Sequence, residues 1–218
     1  MKKVMVFSAH PDDETLGAGG TILRHISQGD EVYWVVFTLY LSDSDEEYKN
    51  YRIELVNRVA SEYGFSGVFT FDFPAGELDR VGYRNLIDRT IKVVKKVKPD
   101  IVYTVGASDI NTDHDYVHRT VMVATKPVYG VKEIYAYEIP SSTNWAFSEK
   151  SSWFKPNLYV DIERFMDRKM KILSLFEDQI FEYLHARSLE SVKALAMYRG
   201  SSVGFRYAEA FMVLRILR

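Results

Sequence analysis

Between Val4 and Val105 the chain alternates short apolar runs with stretches of helical period, and this alternation limits the fold more than any other feature. The runs at 4–9, Val32 to Phe37, Gly67 to Phe71 and Ile101 to Val105 have strand length. Between the first two lies Leu16 to Gln28, with Leu16, Ile22, Leu23 and Ile26 on one face and Gly29 as its stop. A longer helix follows the Ser42 to Glu47 segment, where Ser44 and Glu47 have capping-box spacing; Leu55, Val56 and Val59 lie along it and Gly64 closes it. The third helix, Tyr83 to Lys98, carries Leu86, Ile87, Ile91, Val94 and Val97 at core spacing. The order β-α-β-α-β-α-β predicts a mainly parallel, Rossmann-like α/β sheet with helices on both faces. Beyond it, the pattern predicts helices at 114–125, 163–176 and 188–198 and strands at 132–138, 158–162 and 205–214. No repeat or linker interrupts this order, so one domain over 1–218 is expected.

Composition narrows the function. A net charge of -2 offers no basic field for nucleic acid or an anionic membrane. The one dense basic run, Lys95, Lys96 and Lys98, falls at a helix end, where cations suit the dipole. No stretch approaches the length of a membrane span, and the short apolar run after Lys2 and Lys3 ends in HPDDE instead of a small-residue cleavage site. The chain has no cysteine, which fits a cytoplasmic setting and restricts any zinc site to histidine and carboxylate.

Two polar clusters follow predicted strands. The first is SAHPDDETLGAGG (8–20), which places His10, Asp12, Asp13 and Glu14 within five residues. Buried carboxylates repel one another and lose hydration, so such a group calls for a cation. His10 and Asp13 can converge on one point while Asp12 stays beside it. The plainer reading is a helix start, with Pro11 in the first turn and acids favouring the dipole. The second cluster, DINTDHDYVH (109–118), has His114 and His118 at i and i+4, on one helix face. Alone it reads equally as a polar helix terminus capped by Asp113. Together, two clusters at strand C-terminal ends predict a metal site of the hydrolytic type, with two histidines, one carboxylate and a position left for water.

The sequence AHPDDETLGAGGTI resembles the signature of the zinc-dependent de-N-acetylases of the LmbE/PIG-L superfamily. The resemblance continues through YRIELVNRVASEYG (51–64), KPDIVYT (98–104), DINTDH (109–114), EIPSSTNW (138–145) and RGSSVGFRYAEAF (199–211), in order along nearly the whole chain. It implies one zinc ion per chain held by His10, Asp13 and His114, with Asp12 as general base. It also implies an N-acetylated amino sugar of the N-acetylglucosamine type as substrate, hydrolysed to acetate and a free amine. Many members carry a histidine where this chain has Asn111, which can donate a hydrogen bond to an oxyanion but cannot deliver a proton. His118, one turn past His114, is the expected replacement acid, although Asp12 can also return the proton it has taken. Arg52 matches a superfamily arginine that approaches the sugar. Glu14 is expected to hydrogen-bond a ligand or a helix terminus. Tyr40 and the Ser42 to Asp45 loop are candidates for a rim, Trp145 and Trp153 for sugar stacking, and Tyr207 and Glu209 for bracing the site. Relatives often form trimers or hexamers, so a homo-oligomer is expected.

Three rival readings are weighed against this one. A nucleotide-binding loop is opposed by the spacing of Gly17, Gly19 and Gly20 and by acids where pyrophosphate would sit. A metal-dependent phosphoesterase with two ions needs more ligands than the sequence offers. A non-catalytic carbohydrate-binding protein has no use for Asp12 beside the ligands.

Overall fold

The structure is a computed structural model that describes residues 1–107, 109–146 and 154–218. Strands β1 (Lys3–Ser8), β2 (Glu31–Thr38), β3 (Gly67–Phe73), β4 (Ile101–Val105), β5 (Glu133–Tyr137), β6 (Leu158–Asp161) and β7 (Ala208–Ile216) form one sheet. Its order is β3-β2-β1-β4-β5-β7-β6. The first five strands are mutually parallel, and β7 runs antiparallel to both β5 and β6. Burial on both sides explains the run of apolar residues: Val4, Met5, Val6 and Phe7 in β1 are inaccessible, as are Val102 and Val105 in β4. Helices α1 (Asp13–Ser27), α2 (Glu46–Tyr63), α4 (Tyr83–Val97) and α5 (Thr112–Ala124) follow β1, β2, β3 and β4, with a short α3 (Leu78–Val81) in the loop before α4. Helices α6 (Met166–Leu173) and α7 (Leu189–Ser201) precede β7. No helix among the described residues is long and apolar enough to cross a membrane.

Three local details differ from expectation. Helix α1 begins at Asp13, so the helix-start and site readings of HPDDE hold together. The N-cap of α2 is Asp45, whose carboxylate accepts from Tyr48 N at 2.7 Å, and Ser44 makes no capping box. At the end of α4 a lysine, Lys98, takes the left-handed cap (φ 56°), where the helix meets Pro99 and no glycine is at hand. The Gly64 stop of α2 is left-handed as expected (φ 82°).

Helix α1 lies unusually close to its neighbours. A Cβ at Gly17 would meet Tyr137 Cδ2 at 2.2 Å, and one at Gly20 would meet Ile162 at 2.7 Å. Midway along α1, Glu209 of β7 accepts from the N–H groups of Gly20 (2.8 Å) and Thr21 (2.7 Å). Lys169 of α6 donates to Glu209 (2.7 Å) and to the Leu16 carbonyl (2.9 Å), in a pair buried on all sides. Glu209 thus braces the helix that starts at the site, while the glycines serve helix packing.

Candidate active site

The sheet order reverses direction between β1 and β4, and ligands of open α/β sheets bind beyond the C-terminal ends of strands at such a switch point. The β1–α1 and β4–α5 connections leave those two ends, and they carry the two polar clusters. His10 and Asp13 from the first meet His114 from the second, with one ligand atom from each lying within 4.8 Å of the others. His114 Nε2 is 3.3 Å from His10 Nδ1 and 3.4 Å from Asp13 Oδ1, and His10 Nδ1 is 3.6 Å from Asp13 Oδ2.

Each ring is turned by a carboxylate on its far side. Asp109 Oδ2 lies 2.8 Å from His114 Nδ1, and Asp113 Oδ2 lies 3.1 Å from His10 Nε2. Carboxylates only accept, so these contacts place protons on the outer nitrogens and turn the inner ones toward each other. Asp113 is fixed in turn by N–H donors from Gly76 (2.6 Å) and Leu78 (3.3 Å). Asp13 Oδ2 accepts from Ala9 N and His10 N, whereas its buried Oδ1 has no hydrogen-bond partner among the described residues.

This donor set fits a divalent metal. A four-coordinate zinc with bonds of about 2.0–2.1 Å sets its ligand atoms roughly 3.3–3.4 Å apart, close to the distances from His114 Nε2 to His10 Nδ1 and to Asp13 Oδ1. The electrostatics agree. Burial pulls both imidazoles down, but Asp113 and Asp13 override it at His10, raising it to about 9, and Asp13 and Asp109 raise His114 to about 10. Burial pushes the Asp13 carboxyl up, yet His114 and His10 hold it well below the usual range. A cluster that binds protons this tightly is built for positive charge.

Asp12 stands next to this group without joining it. Burial, then the charge of Asp13, raises its carboxyl to about 6 against the opposing Arg187. Its Oδ2 accepts from Arg187 Nη1 at 2.9 Å, and its buried Oδ1 is unpartnered among the described residues. The Asp12 backbone takes φ 141°, a conformation that costs energy outside glycine and turns consecutive side chains apart. Glu14 accepts from Thr15 Oγ1 (2.6 Å) and from the Asp12 N–H (3.3 Å), which matches the helix terminus of the two expected alternatives. Burial pushes it up to about 8.

The remaining candidates fall around this centre in different ways. Asn111 caps α5, its side-chain oxygen accepting from Asp113 N (2.9 Å), which leaves its amide N–H groups as donors. His118 Nδ1 donates to the Val105 carbonyl (2.8 Å), and burial lowers its pKa. Arg52 is 4% exposed, and its nitrogens bond the Leu39 carbonyl (3.0 Å), Asp178 (2.9 Å) and the Pro11 carbonyl (3.4 Å). It is a strut under the first cluster, with its guanidinium already engaged. In the segment expected to form a rim, Ser42 Oγ donates to Glu77 and the Tyr40 carbonyl accepts from Ala75 N, next to Gly76 and Leu78, whose N–H groups hold Asp113. Trp145, half exposed, packs edge-on to His185 with ring centroids 5.4 Å apart; Trp153 lies outside the described residues. Sequence reasoning assigned no role to Asp109 or Asp113 as ring-orienting groups, and it missed Arg187. The first two had a signal in their spacing around His114, whereas Arg187, 175 residues from its partner, had none.

Comparison with known proteins agrees with this geometry. The profile of the PIG-L family, described as GlcNAc-PI de-N-acetylase, matches residues 5–125, more than half of the chain, and the chain belongs to that family. It is 27% identical to the diacetylchitobiose deacetylase of Thermococcus kodakarensis over 96% of this chain and 82% of that one. Its fold matches the N,N'-diacetylchitobiose deacetylase of Pyrococcus horikoshii in complex with its inhibitor MPG (TM-score 0.78, 24% identity, 98% of this chain and 84% of that one). It also matches GalB, the 4-carboxy-2-hydroxymuconate hydratase of Pseudomonas putida KT2440 (TM-score 0.76, 23% identity, 100% and 99% covered). The fold therefore serves more than one chemistry, and the function of this chain rests on its site and family.

Proposed function

We propose that this protein is a zinc-dependent hydrolase that removes the acetyl group from an N-acetylated amino sugar of the N-acetylglucosamine type. The observation that carries the reading is the separate fate of two adjacent aspartates. Asp13 meets both imidazoles and Asp12, next to it in the chain, is paired with Arg187 instead; each keeps a buried Oδ1 with no hydrogen-bond partner among the described residues. A carbohydrate-binding site has no need of the second.

His10, Asp13 and His114 are the residues that would hold the ion, which when bound supplies the positive charge that polarises the acetyl carbonyl and acidifies water. Asp12 accepts the proton of the attacking water through Oδ1. The amide nitrogen leaves only once protonated, so the same proton passes from Asp12 to nitrogen as the C–N bond breaks. Acetate keeps the water oxygen and the sugar keeps the amine. The Asn111 amide is the available neutral donor for the developing oxyanion. His118 suits the acid role poorly: its Nδ1–H is spent on Val105 and its lowered pKa leaves Nε2 bare near neutral pH. The return of the proton therefore falls to Asp12.

The test is acetate release from N-acetylglucosamine and its oligosaccharide and glycoside derivatives, with zinc-loaded and chelated protein side by side. Zinc-dependent release is expected. Asp12→Asn should keep the metal and lose about 10²–10⁴-fold in turnover; a normal rate in that variant removes Asp12 from the mechanism.

A further inference from the structure

We propose that Arg187 is the positioning residue that keeps Asp12 off the metal and so divides the work between the two aspartates; this rests on the hydrolase reading above. Adjacent buried carboxylates need separate countercharges, or both turn toward whichever cation is nearest. Asp13 has the two imidazoles. Asp12 has Arg187, whose Nη1 lies 2.9 Å from Asp12 Oδ2.

The guanidinium is itself held. Its Nε donates to Ser141 Oγ at 2.9 Å, and Nη1 also approaches Gln179 Oε1 at 3.5 Å. The Arg187 N–H is fixed on His185 Nδ1 (3.0 Å), and the next residue, Ser188, is the N-cap of α7. Among these partners only Asp12 is charged, so the guanidinium is aimed at that carboxylate. A planar fork anchored at Nε presents Nη1 in one direction and fixes which Asp12 oxygen is occupied. The other, Oδ1, is buried with no hydrogen-bond partner among the described residues, and Asp12 is not part of the His10, Asp13 and His114 group. Ser141 holds its hydroxyl from a left-handed backbone (φ 76°), a second strained residue at the same contact. Without the guanidinium, the cations left around Asp12 are His10, which belongs to the ligand group, and Arg52, which is engaged by Leu39, Asp178 and Pro11, so a bound metal would be the partner open to Asp12. The base would then become a fourth protein ligand.

The test compares Arg187→Gln, Arg187→Lys and Ser141→Ala with the wild type, each loaded with zinc for kinetics and with Co²⁺ for visible absorption. Arg187→Gln is expected to lose about 10–100-fold in kcat with KM unchanged, the scale seen for groups that orient a metal site's residues. Its cobalt bands should weaken and shift as another oxygen joins the ion. Arg187→Lys should keep a cobalt spectrum close to wild type because the countercharge remains. Ser141→Ala should move both readouts the same way by less, and it carries the test if Arg187→Gln does not fold. A cobalt spectrum of Arg187→Gln that overlays wild type, or a rise in KM with kcat intact, overturns the proposal. If the wild type releases no acetate, the deacetylase reading fails, and the cobalt spectra still decide the role of Arg187.

Discussion

Helix α1 begins and ends at a histidine–carboxylate cluster, and the two behave in opposite ways. In its last turn His25 has both ring nitrogens matched: Nδ1 lies 2.8 Å from Asp30 Oδ2 and Nε2 3.0 Å from the Tyr103 hydroxyl. Burial outweighs the single carboxylate there and lowers the pKa of His25. At the first turn, carboxylates face the two rings from both sides, burial is overridden, and His10 and His114 rise to about 9 and 10. The difference lies in what remains unmatched. The His25 cluster closes on itself, whereas in the His10 cluster the two inner ring nitrogens face each other at 3.3 Å and Asp13 Oδ1, 3.4 Å from His114 Nε2, has no hydrogen-bond partner among the described residues. Residue types alone do not distinguish the two clusters; donor atoms of three residues turned toward one another do.

Substituting one histidine in each cluster tests this contrast most severely. His114→Ala should abolish stoichiometric zinc and with it acetate release, while His25→Ala should retain one zinc per chain and lose only stability, as read by metal analysis of the purified variants. Equal zinc content in the two would collapse the distinction. A smaller effect is expected one layer out. Asp109→Ala and Asp113→Ala should each weaken zinc affinity by about 10–100-fold, because they free the rings they orient; the equivalent Asp30→Ala change should leave zinc titrations unaltered.

The gentlest probe is pH. Groups whose pKa is raised on folding stabilise fully below the unfolded value of 6.5 and lose that contribution as pH rises through about 9 to 10. The melting temperature of the metal-free protein should therefore fall across that alkaline window. Zinc should suppress the fall, since it displaces the same protons. The lowered pKa of His25 acts in the other sense: its contribution is present above 6.5 and lost as pH falls. His25→Gln should accordingly soften the acid-side loss and leave the alkaline one.

Most of the frame was readable in the chain because apolar runs and helical periods report burial directly. Val102 to Val105 could hardly be anything but an inner strand. The grouping of His10, Asp13 and His114 was equally legible, since each half lies within one local motif. What escaped depends on distance or on competition between near-equal choices. Asp45 caps α2 in place of Ser44, one residue away, and both types cap well. The Asp178 partner of Arg52 was likewise out of reach, since it lies 126 residues away in sequence. Arg187 reaches Asp12 from 175 residues away, so no local pattern announces it.

The spacing of the candidate triangle has an origin far from its three corners. His10 lies just before α1, Asp13 opens its first turn, and His114 rides on α5. How near the two halves come depends on how deeply α1 settles against Tyr137, Tyr63 and Ile162, and missing methyl groups at Gly17, Gly19 and Gly20 set that depth. The stretch that looks like a phosphate loop is in effect a spacer gauge, tuning the bite of the site from inside the core.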